Sequence, residues 1–211
     1  MARGKFITFE GGEGGGKSTQ VKRLASALAQ AGVEAVFTRE PGGTRLAELI
    51  RGLLREELQD PPCDKAELLL FLAARAQLIQ NVIEPALAAG KWIISDRFSD
   101  STFAYQGYGR GLPIDTLRII NDFATNGLKP DLTLLLDVTP ETAHARMHQR
   151  EVATATEADR IELAGAAFHS RLRAGFLEMA AAEPERIKLI DANPSEDEVW
   201  NQIWKLIKPL I

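Results

Sequence analysis

The sequence has only one cysteine, Cys63, among its 211 residues. A lone cysteine excludes an internal disulfide framework and is typical of proteins from a reducing compartment. Basic residues are not in excess either, because 25 lysines and arginines stand against 29 aspartates and glutamates, and the net charge is −4. This balance argues against a broad basic face for nucleic acid. It does not exclude a small anionic ligand, since a few arginines can bind one.

Long apolar segments are also missing from the sequence. The N-terminal stretch MARGKFITFE has no apolar run long enough for a signal peptide, and no later segment approaches the length of a membrane span. No repeat, low-complexity tract or proline-rich linker divides the chain. We therefore predict one cytoplasmic domain over residues 1–211, with neither a nucleic acid nor a membrane as partner.

The sequence does contain a glycine-rich stretch, FEGGEGGGKST, at residues 9–19. A short apolar run at residues 5–10 is typical of a buried parallel strand, while residues 19–31 have helical spacing. A strand, a glycine loop and a helix in this order are the setting of a phosphate-binding loop. The fixed positions of the G-x-x-x-x-G-K-[ST] pattern are filled by Gly11, Gly16, Lys17 and Ser18.

Such a loop binds phosphate because its backbone N–H groups point inward and the helix N-terminus adds partial positive charge. We predict that Lys17 reaches the β- and γ-phosphates of ATP and that the Ser18 hydroxyl ligates Mg²⁺. The alternative, a flexible glycine turn with an exposed lysine, fits the flanking strand and helix less well. The predicted ATP-binding residues are Gly11, Gly12, Glu13, Gly14, Gly15, Gly16, Lys17, Ser18 and Thr19.

Apolar runs and helical patterns alternate along the rest of the chain. This alternation predicts an α/β fold of three layers, in which helices wrap a five-stranded parallel sheet. Ligand-binding residues are expected where the carboxyl ends of the strands converge. The further apolar runs lie at residues 33–39, 91–96, 132–138 and 186–191, and the helices are predicted near 44–58, 64–89, 113–126, 140–150, 160–182 and 195–208.

The residues that would surround a transferred phosphoryl group distinguish a kinase from a switch. The base-reading Asn-Lys-x-Asp stretch of a GTPase switch is absent, whereas a kinase surrounds the transferred group with arginines. Arg146 and Arg150 share one face of a predicted helix, and Arg160 follows the polar segment EVATATEAD. We predict a mobile, arginine-bearing lid over about residues 141–160 that excludes water when it closes. An exposed basic helix face is the open alternative.

Six segments together strongly resemble the bacterial thymidylate kinase family. In chain order they are FEGGEGGGKST, TREPGGT, LLLFLAARAQ, SDRFSDSTFAYQG, LLLDVTP and DRIE, and the match runs from about residue 5 to 192. The resemblance implies a P-loop kinase fold, transfer of the γ-phosphoryl group of MgATP to dTMP to give dTDP and ADP, and a homodimer.

The resemblance also implies a base pocket. Phe71 matches the aromatic residue on which thymine stacks, and Arg75, four residues later on the same helix face, is implied to hydrogen-bond the base. Thr102 and Gln106 match positions that complete the contacts to the base. From spacing alone Phe71 would be interpreted as a core residue, since apolar residues at helical spacing usually are.

Other positions match contacts to the sugar and to the acceptor phosphate. Tyr105 matches the residue that crowds the 2′ position and favours deoxyribose, and Glu13 matches the acidic group that meets the 3′-hydroxyl. Arg51 and Arg97 match the clamps on the dTMP phosphate, which would hold it in line with the γ-phosphate of ATP. Lys17, Mg²⁺ and arginines are then implied to carry catalysis without a general base, because an acceptor phosphate is already ionised.

Asp96 and Glu40 match the acidic groups around Mg²⁺ and the acceptor phosphate. The phosphate loop has no arginine, so the catalytic arginine is implied to come from the lid, from among Arg146, Arg150 and Arg160. The lid sequence EVATATEADRIE is longer than the family pattern and lacks its glycine, which leaves open which of the three contacts the transferred group.

Two competing hypotheses stay open. One is a P-loop kinase with another acceptor, against which the base-pocket residues Phe71, Arg75, Tyr105 and Gln106 argue. The other is a nucleotide-dependent switch that acts through a protein partner, against which the missing base-reading motif argues.

Overall fold

All five predicted strands form, in a computed structural model that describes residues 3–56, 58–154 and 165–211. The strands pair in parallel within one sheet, as predicted. Their bounds are β1 (Phe6–Glu10), β2 (Ala35–Arg39), β3 (Trp92–Asp96), β4 (Leu132–Asp137) and β5 (Ile187–Asp191), and their order across the sheet is β2-β3-β1-β4-β5.

Helices connect the strands and cover both faces of the sheet. They are α1 (Lys17–Gln30), α2 (Arg45–Arg55), α3 (Asp64–Leu78), α4 (Glu84–Ala88), α5 (Ser99–Thr102), α6 (Ile114–Thr125), α7 (Pro140–Thr154), α8 (Ala166–Ala182) and α9 (Glu196–Ile207). Two π-helical turns, Ile79–Ile83 and Phe103–Gly109, extend α3 and α5, and a 3₁₀ turn follows α9 at Lys208–Leu210.

Two helical segments differ from the prediction. Helical structure was not predicted at residues 99–109, which carry three of the predicted substrate-binding side chains. The helix beginning at residue 140 was predicted to end at residue 150, whereas α7 continues to Thr154 and takes in the first part of the predicted lid segment. The helix predicted over 160–182 is α8 from Ala166 onward, and residues 160–164 lie outside the described part of the chain.

The core has two halves because alternate residues of β1 point to opposite faces of the sheet. Ile7 packs with Leu24 of α1 and Ile203 of α9, whereas Phe6 packs with Ile79 and its neighbours after α3. All five residues of β1 are buried, as is typical of a central parallel strand covered on both faces. The three-layer α/β fold is thereby confirmed.

One helical segment corrects the prediction about apolar length. Residues 64–88, which run through α3, its π-helical turn and α4, are long and apolar enough to cross a membrane. Core helices of soluble proteins meet the same criterion, and here Leu78, Ile79 and Ile83 are buried against the sheet. The apolar length of residues 64–88 was not recognised from the sequence, because charged residues such as Glu67 and Arg75 interrupt the apolar run.

The carboxyl ends of the strands lie level with one another at one edge of the sheet. Asp96 at the end of β3 pairs in register with Phe9 of β1 and with Arg39 of β2, and Asp137 of β4 pairs with Asp191 of β5. The glycine-rich loop leaves β1 at the centre of this edge. The predicted binding residues that follow the strands therefore converge on the loop, as expected for an open parallel sheet.

Candidate active site

A cleft of about 940 Å³ opens at this edge of the sheet. Most of the residues predicted from the sequence line it, although they come from segments far apart in the chain. They are Glu13, Gly14, Gly15, Gly16, Lys17, Ser18, Thr19, Glu40, Arg51, Phe71, Arg75, Asp96, Arg97, Thr102, Tyr105, Gln106 and Arg146.

The glycine-rich loop has a shape that only glycine permits at two of its positions. Gly11 has a φ of 126°, and a Cβ there would lie 2.4 Å from the carbonyl oxygen of Leu136. Gly14 has a φ of 72°, and its Cβ would lie 2.7 Å from the carbonyl oxygen of Ala143. The loop can therefore pass close to β4 and α7 only without side chains at these two positions. It ends at the N-terminus of α1, where Gly16 is the N-cap.

Lys17 is buried in the concave side of this loop. Its Nζ donates hydrogen bonds to the carbonyl oxygens of Gly11, at 3.0 Å, and Gly12, at 2.7 Å. Burial lowers the pKa of Lys17, and the positive charge of Arg97 lowers it further. An ammonium group held this way is oriented at the mouth of the loop and can exchange its carbonyl partners for phosphate oxygens.

Ser18 and Asp96 lie together beside the loop. The Ser18 hydroxyl donates to Asp96 Oδ2 at 3.0 Å. A hydroxyl and a carboxylate are the hard oxygen ligands that Mg²⁺ prefers, and Mg²⁺ usually takes only one or two protein ligands beside phosphates and water. Within the described residues no group of three or more His, Cys, Asp or Glu side chains is placed to hold a metal ion. The donor set thus fits a Mg²⁺ ion that arrives with a nucleotide.

Arg97 lies between the phosphate loop and the predicted sugar site. It follows β3 directly and has a φ of 76°, which is rare for a residue with a side chain. Its guanidinium group donates to the Gly11 carbonyl oxygen at 3.0 Å and forms a salt bridge with the carboxylate of Glu13. The Tyr105 ring lies 4.9 Å below the guanidinium carbon, and its hydroxyl donates to Glu13 at 3.3 Å. The four residues form one network across the cleft.

The backbone turn that carries Arg97 is held by Glu10, which the sequence analysis missed. The Glu10 carboxylate accepts hydrogen bonds from the Phe98 N–H at 2.7 Å and from the Ser101 hydroxyl at 2.6 Å. The same Ser101 hydroxyl accepts a hydrogen bond from Arg97 at 3.2 Å. Burial, and then the charge of Asp100, raises the pKa of Glu10 to about 8. A glutamate that ends an otherwise apolar strand was the only sequence signal for this role.

Arg75 and Glu40 form a buried ion pair at the base end of the cleft. Two guanidinium nitrogens of Arg75 donate to Glu40 Oε2, at 2.8 and 2.6 Å. The third nitrogen, Nη1, donates to Thr102 Oγ1 at 2.8 Å and to Asn121 Oδ1 at 2.9 Å, and Nη2 also donates to the Phe98 carbonyl oxygen at 3.0 Å. Burial raises the pKa of Glu40, and Arg75 opposes that shift.

These contacts alter the roles predicted for the pair. The five N–H groups of an arginine are all engaged here, so Arg75 organises the floor of the pocket and could reach a base only by exchanging a partner. Glu40 had been expected beside Mg²⁺ and the acceptor phosphate, but its carboxylate is bound to Arg75. Asn121, one of the four partners of Arg75, lies on α6 and gave no signal in the sequence.

Phe71 and Arg51 complete the acceptor end of the cleft. Phe71 lies on α3 one turn before Arg75, and its half-buried ring lines the cleft as the resemblance implied. Spacing alone would have predicted a core position for Phe71, and the structure does not place it in the core. Arg51 projects from α2, and its guanidinium group donates to the Pro41 carbonyl oxygen at 3.1 Å.

Arg146 is the lid arginine whose side chain the structure describes. Its guanidinium group donates to the carbonyl oxygens of Gly14 at 3.3 Å, Ala192 at 2.7 Å, Asn193 at 3.2 Å and Pro194 at 3.1 Å. It thus fastens the phosphate loop to the loop between β5 and α9. The side chain of Arg150 and the whole of Arg160 lie outside the described part of the chain.

Comparison with known proteins gives the same assignment as the geometry. The model of the family described as thymidylate kinase matches residues 9–203. The chain belongs to the thymidylate kinase family. As a member, it is a phosphotransferase, and the resemblance found in its motifs is confirmed.

Relatives within the family match this chain over nearly its whole length. The thymidylate kinase of Solidesulfovibrio magneticus is 48% identical over 213 residues, which cover 98% of this chain and 100% of that protein. The thymidylate kinase of Chromobacterium violaceum is 51% identical over 193 residues, 92% of this chain and 88% of the relative. The crystal structure of thymidylate kinase from Ehrlichia chaffeensis superimposes with a TM-score of 0.76 at 35% identity, covering 97% of this chain and 99% of that one.

Proposed function

We propose that the chain transfers the γ-phosphoryl group of MgATP to dTMP, giving dTDP and ADP in the synthesis of dTTP. The observation that carries this proposal is the continuity of one cleft. It joins the phosphate loop around Lys17 to the aromatic and polar pocket around Phe71, with Arg97 between the two. The switch hypothesis lacks such support, because a switch has no use for a second pocket beyond its nucleotide, whereas a kinase with another acceptor is distinguished by the choice of acceptor.

The phosphate loop is the donor end of the cleft. ATP lays its β- and γ-phosphates in the concave loop, where backbone N–H groups and the α1 N-terminus face them. Lys17 exchanges its Gly11 and Gly12 partners for phosphate oxygens. Ser18 and Asp96 would hold Mg²⁺, which would neutralise charge on the phosphates of ATP.

The other end of the cleft holds the acceptor. Arg97 and Arg51 bind the phosphate of dTMP, and Glu13 with Tyr105 meets the sugar. An oxygen of the acceptor phosphate forms a bond to the γ-phosphorus, and the bond from that phosphorus to the β–γ bridging oxygen breaks, so ADP leaves with the bonding electron pair. Because the attacking oxygen is already ionised, no residue has to remove a proton.

The lid belongs to the same single domain and spans about residues 141–160. Arg146 anchors its base by binding the two loops beside the donor site. The roles of Arg150 and Arg160 at the transferred group stay predictions, because the Arg150 side chain and the whole of Arg160 lie outside the described part of the chain. The cytoplasm is the expected compartment, because the single cysteine, Cys63, is a free thiol.

The substrate assignment is tested by ADP release from MgATP, measured against dTMP, dUMP, UMP, CMP, AMP, GMP and thymidine under one set of conditions. We expect turnover with dTMP well above that with every other acceptor. Preference for another nucleotide would keep the kinase and overturn the thymine pocket. Nucleotide binding without transfer to any acceptor would favour the switch.

Replacement of Phe71 by alanine is expected to raise the KM for dTMP by about tenfold and to change kcat little, since an aromatic–base stack contributes about 1–3 kcal/mol. Phe37→Ala is the matched control, because Phe37 is a partly exposed phenylalanine on the edge strand β2 and does not line the cleft. Steady-state rates with dTMP varied give both constants. An unchanged KM in Phe71→Ala would remove the stacking role.

We also propose a homodimer, on the basis of exposed apolar residues on three helices that pack side by side. α3 contacts both α2 and α6, and Phe123 of α6 is 87% exposed. Water contact at such residues is unfavourable, so a partner surface is expected to cover them. These exposed apolar residues are Leu46, Leu49 and Leu53 on α2, Leu69 on α3, and Ile119 and Phe123 on α6.

Sedimentation velocity tests the dimer. We expect twice the chain mass of 23.1 kDa for the wild type and one chain mass for Phe123→Arg. Leu189→Arg on the edge strand β5 is the control, because Leu189 is also exposed but lies on none of the three helices. A wild-type species of one chain mass at micromolar concentration would contradict the dimer.

A further inference from the structure

Gln106 has its side-chain amide fixed by a buried carboxylate within the predicted base pocket. The amide nitrogen donates to Glu67 Oε1 at 3.1 Å, and both side chains are almost wholly buried. Glu67, Phe71 and Arg75 follow one another at four-residue intervals along α3, so one face of that helix carries all three. Glu67 therefore contacts the base pocket only through Gln106, because Glu67 itself does not line the cleft.

Glu67 is held in turn by Arg110. The guanidinium group of Arg110 donates to the second carboxylate oxygen, Oε2, at 3.3 Å. The same guanidinium group lies 3.5 Å from the carboxylate of Asp64 and 5.3 Å from the ring centre of Phe168. One oxygen of Glu67 is thus occupied by a cation, and the other faces Gln106.

This arrangement decides which end of the Gln106 amide faces the ligand. A carboxylate oxygen can only accept hydrogen bonds, so the end that faces Glu67 has to be the NH₂ group. The Gln106 oxygen, Oε1, is left for the cleft, and it takes part in no hydrogen bond with another described residue. Nearby, Thr102 Oγ1 accepts a hydrogen bond from Arg75, which leaves its own O–H to donate. The pocket wall therefore presents one acceptor and one donor.

The edges of the pyrimidine bases differ in the corresponding groups. Thymine and uracil carry an N–H donor at N3 and a carbonyl acceptor at C4, whereas cytosine carries an unprotonated N3 and an amino donor at C4. The first pattern complements the acceptor of Gln106 and the donor of Thr102. With cytosine, the Gln106 oxygen faces the unprotonated N3 and the Thr102 O–H finds no carbonyl at C4, so buried polar groups are left without partners, which is costly.

We propose that Glu67, held by Arg110, is a positioning residue that fixes the amide orientation of Gln106 and so makes the pocket select a keto pyrimidine over cytosine. The inference rests on the proposed function, since it specifies how the acceptor site chooses its base. Glu67 acts through Gln106 and touches no reacting atom.

The test is the Glu67→Gln variant, assayed with dTMP, dUMP and dCMP. A glutamine at position 67 can donate as well as accept, so the Gln106 amide is free to turn. The dUMP and dCMP pair differs only at the N3 and C4 edge, which isolates the amide effect from the 5-methyl group. We expect the dUMP to dCMP ratio of kcat/KM to fall by about tenfold, with the dTMP to dUMP ratio and the KM for ATP unchanged.

Two further variants separate positioning from a structural role. In a Gln106→Leu background, Glu67→Gln is expected to change the dUMP to dCMP ratio no further, because the amide through which it acts is gone. Arg110→Ala is expected to lower the ratio in the same direction as Glu67→Gln, and it serves as the test if Glu67→Gln does not fold by circular dichroism.

Three results would overturn the inference. They are an unchanged dUMP to dCMP ratio in the folded variants, equal losses with both nucleotides, and a further fall of the ratio in the Gln106→Leu background. Failure of the proposed function is distinguishable from these, because the wild-type protein would then show no preference for dTMP before any substitution, and the inference would fall with it.

Discussion

Replacement of Lys17 by alanine is expected to lower kcat for phosphoryl transfer from MgATP to dTMP by about 10²- to 10³-fold, the cost of removing one buried charge that stabilises the transition state. The physical reason is the position of its ammonium group, which is buried at the mouth of the phosphate loop and oriented by two backbone carbonyls. In water such a charge would be screened, whereas in the closed cleft it acts on the γ-phosphate at full strength. Coupled ADP release at saturating concentrations of both substrates measures the loss.

Lys22→Ala is the matched control for this variant. Lys22 lies on the same helix α1, but its side chain is exposed and outside the cleft. We expect its rate to stay within about twofold of the wild-type rate, since surface substitutions seldom matter. A Lys17→Ala variant that kept transfer within tenfold of the wild type would contradict the assignment of the phosphate loop.

The second large effect is expected at Arg97, which should matter for the acceptor rather than for the donor. We expect Arg97→Ala to lower kcat/KM for dTMP by about 10²-fold or more, because a guanidinium fork that fixes the acceptor phosphate supplies both binding and alignment. The KM for ATP should change less, since the guanidinium group of Arg97 also binds Glu13 and lies over the Tyr105 ring, the two residues proposed to meet the acceptor sugar. Arg97→Lys should recover only part of the activity, because lysine lacks the planar pair of donors.

Initial rates with each substrate varied in turn separate these effects. Arg3→Ala provides the control, because Arg3 is a half-exposed arginine that precedes β1 and so lies at the opposite edge of the sheet from the cleft. Loss confined to the ATP dependence would show that Arg97 serves the donor and would reassign the acceptor clamp to Arg51.

Much of the fold could be predicted from the sequence because its signals are local. A buried parallel strand is a continuous apolar run, so each of the five strands was visible by itself. The phosphate loop was equally visible, because its glycines are required where a Cβ would strike Leu136 or Ala143. The convergence of the polar strand ends could be anticipated because the strands of a parallel sheet all end at the same side. The strand order, in which β3 lies between β1 and β2, was not predicted.

The partners of the site residues could not be predicted, because they are distant in sequence and leave no periodic pattern. Arg75 was placed on the correct helix face, but its contacts with Glu40 and Asn121 join residues 35 and 46 positions away. Those contacts decide that Arg75 organises the pocket floor. Glu67 was missed for the same reason, since its partner Gln106 lies on a helical segment that was not predicted and its partner Arg110 directly follows that segment.

The apolar length of residues 64–88 was underestimated from the sequence. Isolated charges made the segment look interrupted, yet in the structure each of two such residues has a buried partner, Glu40 for Arg75 and Gln106 for Glu67. A charge inside this apolar helix therefore marked the binding pocket. Buried charged residues with specific partners are common at functional sites.

Single-turnover transfer from ATP labelled in its γ-phosphate is the most direct test of phosphoryl transfer between two substrates bound in one cleft. The protein, in excess over labelled MgATP, is mixed with dTMP, and the products are separated by chromatography after quenching. We expect the label to move to dTDP in one step, with little inorganic phosphate and no labelled protein. Label released as inorganic phosphate, or retained on the protein, would contradict direct transfer between two substrates held in one cleft.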